Sequence, residues 1–251
     1  MTAKRKWLMV AGAVVALGLL AIGAVIFVWL KLTEVWPQNR SLPVYGLDQT
    51  DSAHPWYRRT TVRLGSTVYV NDFEEASLLL YNVVPTNAIG RSPFGNALAC
   101  AIDGQTTNDY IAVDCGSEME AYEVFRNAHR PPFDWRHAKF QAMEFAGTMI
   151  HIEHKRSTDL ALIADLVHTL SDGPPVTLSL PASVNTTNLG TVHLFTDELP
   201  GLVFCPTVYR DETGSVYLTE SIGVEYGNRT QKIHAQWIPA SPLLTSWLLT
   251  P

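Results

Sequence analysis

The sequence predicts an α+β protein: one N-terminal transmembrane helix, then a β-rich ectodomain of antiparallel sheets with one main helix. Three observations predict it. An uncharged apolar run spans Trp7 to Leu30. From Thr60 onward, short segments rich in β-branched and aromatic residues alternate with turn residues. A single later stretch, Ser157 to Leu170, carries helical apolar spacing.

The first element is the apolar run. Lys4, Arg5 and Lys6 lead into it and Lys31 closes it. At 1.5 Å per residue, about 24 residues cross a hydrocarbon core about 30 Å thick with some tilt to spare. Trp7 and Trp29 fall where amphipathic rings favour the membrane–water boundary, and the preceding basic cluster favours a cytoplasmic N-terminus. The expected layout is a cytoplasmic stub over residues 1–6, an anchor in the lipid bilayer over 7–31, and an extracytoplasmic remainder. A cleaved signal peptide has an apolar region of about 7–15 residues and a small-x-small site. Val28-Trp29-Leu30-Lys31-Leu32 offers no such site.

Charge restricts the partners. Beyond Lys31, all 24 acidic residues stand against 14 of the 18 basic ones, a net charge near −10. Such a balance repels phosphate backbones, which excludes nucleic acid as an expected partner.

Residues 32–57, with Pro37, Pro43 and Pro55 and little periodicity, read as a juxtamembrane linker. Two lobes are expected beyond it, a β-rich one over 58–130 and an α+β one over 140–250. Thr60–Val70 reads as a strand pair bent at Gly65-Ser66. Asp72-Phe73-Glu74-Glu75 has the spacing to cap a short helix through Leu80. Pro85–Gly95 reads as loop and 97–115 as a hairpin; Ser117–Asn127 reads as a strand, with a helix as the alternative because Ser117 and Glu120 have capping-box spacing. In the second lobe, Phe145–His154 reads as one strand. The helix over Ser157–Leu170 takes Ser157 as N-cap and Leu160, Ile163, Ala164 and Val167 as its apolar stripe, with Asp172-Gly173-Pro174-Pro175 ending it. Strands are expected over 176–180, 190–195, 202–210, 215–220 and 232–238, the third and fourth joined by a hairpin turn at Asp211-Glu212-Thr213-Gly214, then a short turn led by Pro242.

In the hairpin, Cys100 and Cys115 flank the turn-rich run from Asp103 to Asp109. A register with Cys100 opposite Cys115 puts Leu98, Cys100 and Ile102 on one face with Ile111, Val113 and Cys115. Outside the cytoplasm that pair is expected as a disulfide, contributing about 3 kcal/mol for a loop of about 15 residues. Cys205 reads as an inert buried thiol.

The stretch Ala99-Cys100-Ala101-Ile102-Asp103-Gly104 through Asp109–Val113, followed by Tyr122-Glu123-Val124-Phe125-Arg126-Asn127, resembles uncharacterised ectodomains of Gram-positive envelope proteins and lipoproteins. The resemblance implies a β-rich extracytoplasmic module and brings no activity or site residue with it. This chain lacks the lipid-modified cysteine of the lipoprotein forms.

Catalytic signatures are sparse. His151-Ile152-Glu153-His154 is neither HExxH nor HxxEH, and on a strand His154 faces away from His151 and Glu153. These three are the candidate metal ligands, with no metal or other cofactor expected. No Gly-x-Ser-x-Gly elbow and no Ser-x-x-Lys occurs. Trp56, Trp135 and Trp237 lie near predicted loops or strand ends and form the candidate recognition surface. The expected function is a non-catalytic binding or sensing module for a protein or cell-wall partner. One alternative is an extracytoplasmic metal-dependent or carboxylate-based hydrolase using His151, Glu153 and His154. Another is a structural subunit of a membrane complex.

Overall fold

The computed structural model describes residues 22–26, 41–51, 58–81, 87–93, 97–114, 122–147, 154–176, 187–220, 223–226 and 231–250. In chain order the first strands are β1 (Gly46–Asp51), β2 (Arg58–Leu64), β3 (Thr67–Asn71), β4 (Leu78–Leu80), β5 (Asn87–Arg91), β6 (Leu98–Ala101), β7 (Tyr110–Asp114) and β8 (Tyr122–Asn127). Next come β9 (Ala142–Gly147), β10 (His154–Ser157), helix α1 (Leu160–Asp172), β11 (Thr187–Phe195), β12 (Leu202–Phe204) and β13 (Thr207–Arg210). The last are β14 (Val216–Thr219), β15 (Gly223–Tyr226), β16 (Gln231–His234), β17 (Ile238–Pro239) and helix α2 (Pro242–Leu249).

The first sheet is antiparallel with order β1-β2-β3-β8-β7-β6-β5. It curls until its ends nearly meet. The Tyr45 N–H donates to Arg91 O at 2.9 Å and the Arg91 N–H to Pro43 O at 3.0 Å, a bridge that ties the entry to β1 onto β5. Gly90 sits close at that seam: a Cβ there would lie 2.7 Å from Leu64 Cδ1, so the leucine side chain would have to shift. Tyr45, Val62, Tyr69, Ala99, Ile111, Val113 and Phe125 fill the concave side. The segment expected as a linker over 32–57 therefore contributes Tyr45 and β1 to the fold. Its strand carries no apolar alternation because all six residues of β1 are exposed.

The second sheet, also antiparallel, has order β10-β9-β11-β13-β14-β17, with β12 pairing β11 and β4. Strand β4 thus leaves the N-terminal half of the chain to join it. The expected helix after Asp72 shrinks to a 3-10 turn over Glu75–Ser77, although the Asp72 N–H does donate to Glu75 Oε2 at 3.0 Å as a capping box requires. The following Leu78-Leu79-Leu80 gains more by pairing with β12. The single strand expected over 145–154 is two strands, β9 and β10, paired Phe145 to Lys155.

One core is common to both sheets. Met143, Phe145, Val192, Leu194, Val208 and Leu218 of the second sheet meet α1, α2 and the convex face of the first sheet, represented by Ile102, Tyr110, Ala112 and Val124. Each such aliphatic side chain contributes about 1.5–3 kcal/mol on burial. On α1 the buried residues are Leu162, Ile163, Leu166, Thr169 and Leu170, while Leu160 is exposed. The apolar stripe is thus rotated from the expected one, and the N-cap is Asp159, which accepts from the N–H of Ala161 at 2.9 Å.

The hairpin register differs from expectation. Cys100 lies opposite Ala112 and Ala99 opposite Val113. Cys100 therefore shares its face with Ala112, and Ile111 and Val113 turn to the other side. Cys100 is a buried free thiol, and Cys115 lies outside the described residues.

Among the described residues, no helix is long and apolar enough to cross a membrane. Of the Trp7–Leu30 run, only 22–26 are described; they are helical, with Ile22, Val25 and Ile26 exposed.

Candidate functional site

Of the three tryptophans expected to form a recognition surface, Trp56 lies outside the described residues. The other two are buried: Trp135 is 3% exposed and Trp237 1% exposed. That corrects the expectation of exposed rings. Trp135 stacks on Phe204, with centroids 4.9 Å apart and planes 13° from parallel. Trp237 meets Tyr209 edge-on at 4.4 Å. Both gain more from covering apolar area than from facing water.

Trp135 nevertheless shapes a polar groove from beneath. Its Nε1–H donates to Glu220 Oε1 at 2.8 Å. The Arg136 guanidinium sits 4.3 Å from the Trp135 ring centroid and bonds Glu220 Oε2 at 3.4 Å. Ser77 Oγ donates to the Glu220 carbonyl at 2.6 Å, holding the backbone at that point. Arg136 and Glu220 form one wall of a groove of about 270 Å³, completed by Phe73, Glu74, Gln236 and the end of α1 at Ser171 and Gly173. Leu170, Ile238 and Thr219 lie at its base. Gly173 is needed there: a Cβ would come 2.3 Å from both Ile238 Cγ2 and Thr169 O. The groove presents two carboxylates, one guanidinium and one amide on a packed frame, which is the character of a pre-formed polar binding site.

A second constellation occupies the face of the second sheet turned away from the core. Glu144 and His193 are directly paired across β9 and β11. Tyr81 Oη donates to Glu144 Oε2 at 2.9 Å. His154 Nδ1 lies 3.8 Å from Glu144 Oε1, and Arg156 Nη1 lies 4.0 Å from Oε2. His193 Nε2 is 3.2 Å from Thr191 Oγ1, while Nδ1 is buried without a hydrogen-bond partner among the described residues. Burial holds the imidazole below the ordinary histidine pKa; Glu144 opposes that shift and His154 adds to it. The result is a neutral imidazole beside an oriented carboxylate.

Of the candidate metal ligands, only His154 is described, and it is exposed on β10. His151 and Glu153 lie outside the described residues. No group of three His, Cys, Asp or Glu among the described residues is placed to hold a metal ion. Neither described cysteine is poised as a nucleophile. Burial, with Asp114 adding to it, pushes the Cys100 thiol up to about 11. Burial pushes Cys205 up to about 12 against a hydrogen bond with Thr191.

Sequence reading missed Glu144, His193, Arg136 and Glu220 as site residues. The first two had a faint signal, since each is a lone charged or polar residue between apolar neighbours on a strand and so must face outward. Arg136 and Glu220 had none, because they meet across 84 residues of chain. No protein-family model, curated protein or solved structure matches this chain.

Proposed function

We propose that this chain is a single-pass membrane protein whose β-rich domain works outside the cytoplasm as a non-catalytic binding module for a protein or cell-wall partner. The anchor reading is supported by the Lys4-Arg5-Lys6 cluster followed by the uncharged run Trp7–Leu30. The binding reading is carried by the groove, in which buried Trp135 orients Glu220 and Glu220 orients Arg136. Side chains held before a ligand arrives lose less entropy on binding, and that favours recognition.

The test combines topology with contact. A C-terminal reporter active only outside the cytoplasm supports the compartment, and one active inside overturns it. A photo-crosslinking residue at Gln236, on the rim of the groove, is expected to form a discrete adduct in native membranes that Arg136→Glu abolishes. An adduct indifferent to Arg136, or none, overturns the groove.

A carboxylate-based hydrolase is the second reading, favoured by Glu144 held by Tyr81 beside the neutral His193. It predicts turnover of a glycan or peptide substrate that Glu144→Gln abolishes while thermal stability is kept.

A further inference from the structure

Strand β1 forms an edge of the first sheet, and its position is physically unusual. All six of its residues, Gly46 to Asp51, are exposed, so it buries no side chain to offset about 1–2 kcal/mol of backbone ordering per residue. The bridge to β5 ends at Tyr45. Beyond it, β1 pairs with β2 on one side and with no described strand on the other. In an antiparallel ladder, alternate residues of such a strand turn both N–H and C=O away from the partner. Of the devices that blunt an edge, Gly-Leu-Asp-Gln-Thr-Asp has no Pro and no Lys and its register with β2 runs without a bulge; its charges are Asp48 and Asp51.

We propose that β1 pairs with β1 of a second copy of this chain, antiparallel about a twofold axis normal to the sheet and passing beside Gln49. Such an axis keeps each residue on its own face, so only registers that place residues of equal parity opposite one another are allowed. Centring on Gln49 sets Gln49 against its copy, Asp48 against Thr50 and Leu47 against Asp51. No carboxylate then opposes a carboxylate. Centring on Asp48 opposes two aspartates, which is unfavourable, and centring on Thr50 keeps fewer residues of β1 in the ladder. The ribbon is not self-repelling in charge, because β2 carries Arg58, Arg59 and Arg63 beside Asp48 and Asp51. This association goes beyond the groove reading and does not depend on it.

The test uses the full chain in detergent micelles, with two differently tagged copies mixed and their association followed by sedimentation and pull-down. Wild type is expected to show a concentration-dependent dimer. Gln49→Lys and Gln49→Glu each set like charges on the axis and are expected to weaken it several-fold. An equal mixture of the two variants is expected to recover association through Lys–Glu pairing. Gln49 is exposed, and recovery in the mixture shows that neither variant failed for want of folding. A wild type that stays monomeric, or a dimer unaffected by charge at position 49, overturns the proposal. So does a mixture with no preference for the mixed pair.

Discussion

Trp135 Nε1 donates to Glu220 Oε1 across 2.8 Å, so an indole packed on Phe204 sets the orientation of a carboxylate at the groove. The same carboxylate receives Arg136, whose guanidinium lies over the same ring. Trp135 and Arg136, neighbours in sequence, thus both converge on a carboxylate 84 and 85 residues away.

Trp135→Phe retains the stacked ring and deletes the donor. Hydrogen bonds to charged groups net about 1.5–3 kcal/mol, and partial exposure of Glu220 lowers the figure, so a loss of about 1–2 kcal/mol is expected in urea unfolding. The crosslink at Gln236 should weaken in parallel. Unchanged stability would show that Glu220 is satisfied by water once the indole nitrogen is gone.

Arg126 and Glu75 form an ion pair of 2.5 Å in which both side chains are almost fully buried. Arg126 also donates to the carbonyl oxygens of Asn127 and Arg130. Removing one member strands the other, so Arg126→Met is expected to cost about 3–5 kcal/mol, with partial recovery when Glu75→Gln is added. Burial holds the Glu75 carboxyl above the ordinary glutamate pKa despite Arg126. The folded state therefore binds this proton more tightly than the unfolded one. Its contribution is greatest at low pH and declines as pH rises above about 4.3, the unfolded value. Denaturation of Glu75→Gln across pH 4–7 should show that decline reduced.

How much of this was legible in the sequence depended on the range of the forces involved. The hairpin turn at Asp211–Gly214 could be read because Asp211 Oδ1 accepts from the N–H of Thr213 and of Ser215, a purely local arrangement. Most of α1 could be read for the same reason, with Asp159 replacing Ser157 as cap two residues later. Strand β1 could not, because it owes its place to backbone pairing with β2 and carries no apolar pattern. The hairpin of Cys100 was found but misregistered, since two cysteines make an appealing pair and the alternation of apolar residues there tolerates either face. The groove was hidden altogether: Phe73, Arg136, Glu220 and Gln236 come from distant parts of the chain. Aromatic content pointed toward Trp135, yet the ring acts through its nitrogen from inside the core.

Gly190 interrupts β11 at a register shift between Asn188 and Gly190, with φ of 141°. A Cβ there would lie 2.1 Å from Ala146 O, in the backbone of β9. Gly190→Ala is expected to cost about 3 kcal/mol or more, since strained backbone and a clash with rigid backbone add together. Gly214, with φ of 89° and a Cβ that would meet only the flexible Arg210 side chain, at 3.4 Å, is the control. Gly214→Ala should cost only about 1–2 kcal/mol, the left-handed penalty alone. Equal losses in thermal or urea unfolding would remove the bulge as the cause.

His193 gives the acid-side prediction. Burial holds its pKa below the ordinary histidine value, so as pH falls the unfolded chain takes up a proton that the folded chain refuses. Stability contributed by the neutral imidazole is complete above the unfolded pKa of about 6.5 and is lost as pH falls toward the folded value. His193→Gln should flatten the stability profile as pH falls below about 6.5. The two neighbouring charges act in opposite directions. Glu144 raises the His193 pKa, so Glu144→Gln should depress it further and steepen the acid loss. His154 lowers it, so His154→Gln should raise it and soften that loss. An NMR titration of the His193 ring proton in the three backgrounds reads the order directly. The expected sequence is Glu144→Gln lowest, wild type between, and His154→Gln highest. A value at or above the ordinary histidine range in wild type would mean that water reaches Nδ1 and that the outer face of the second sheet is open around it.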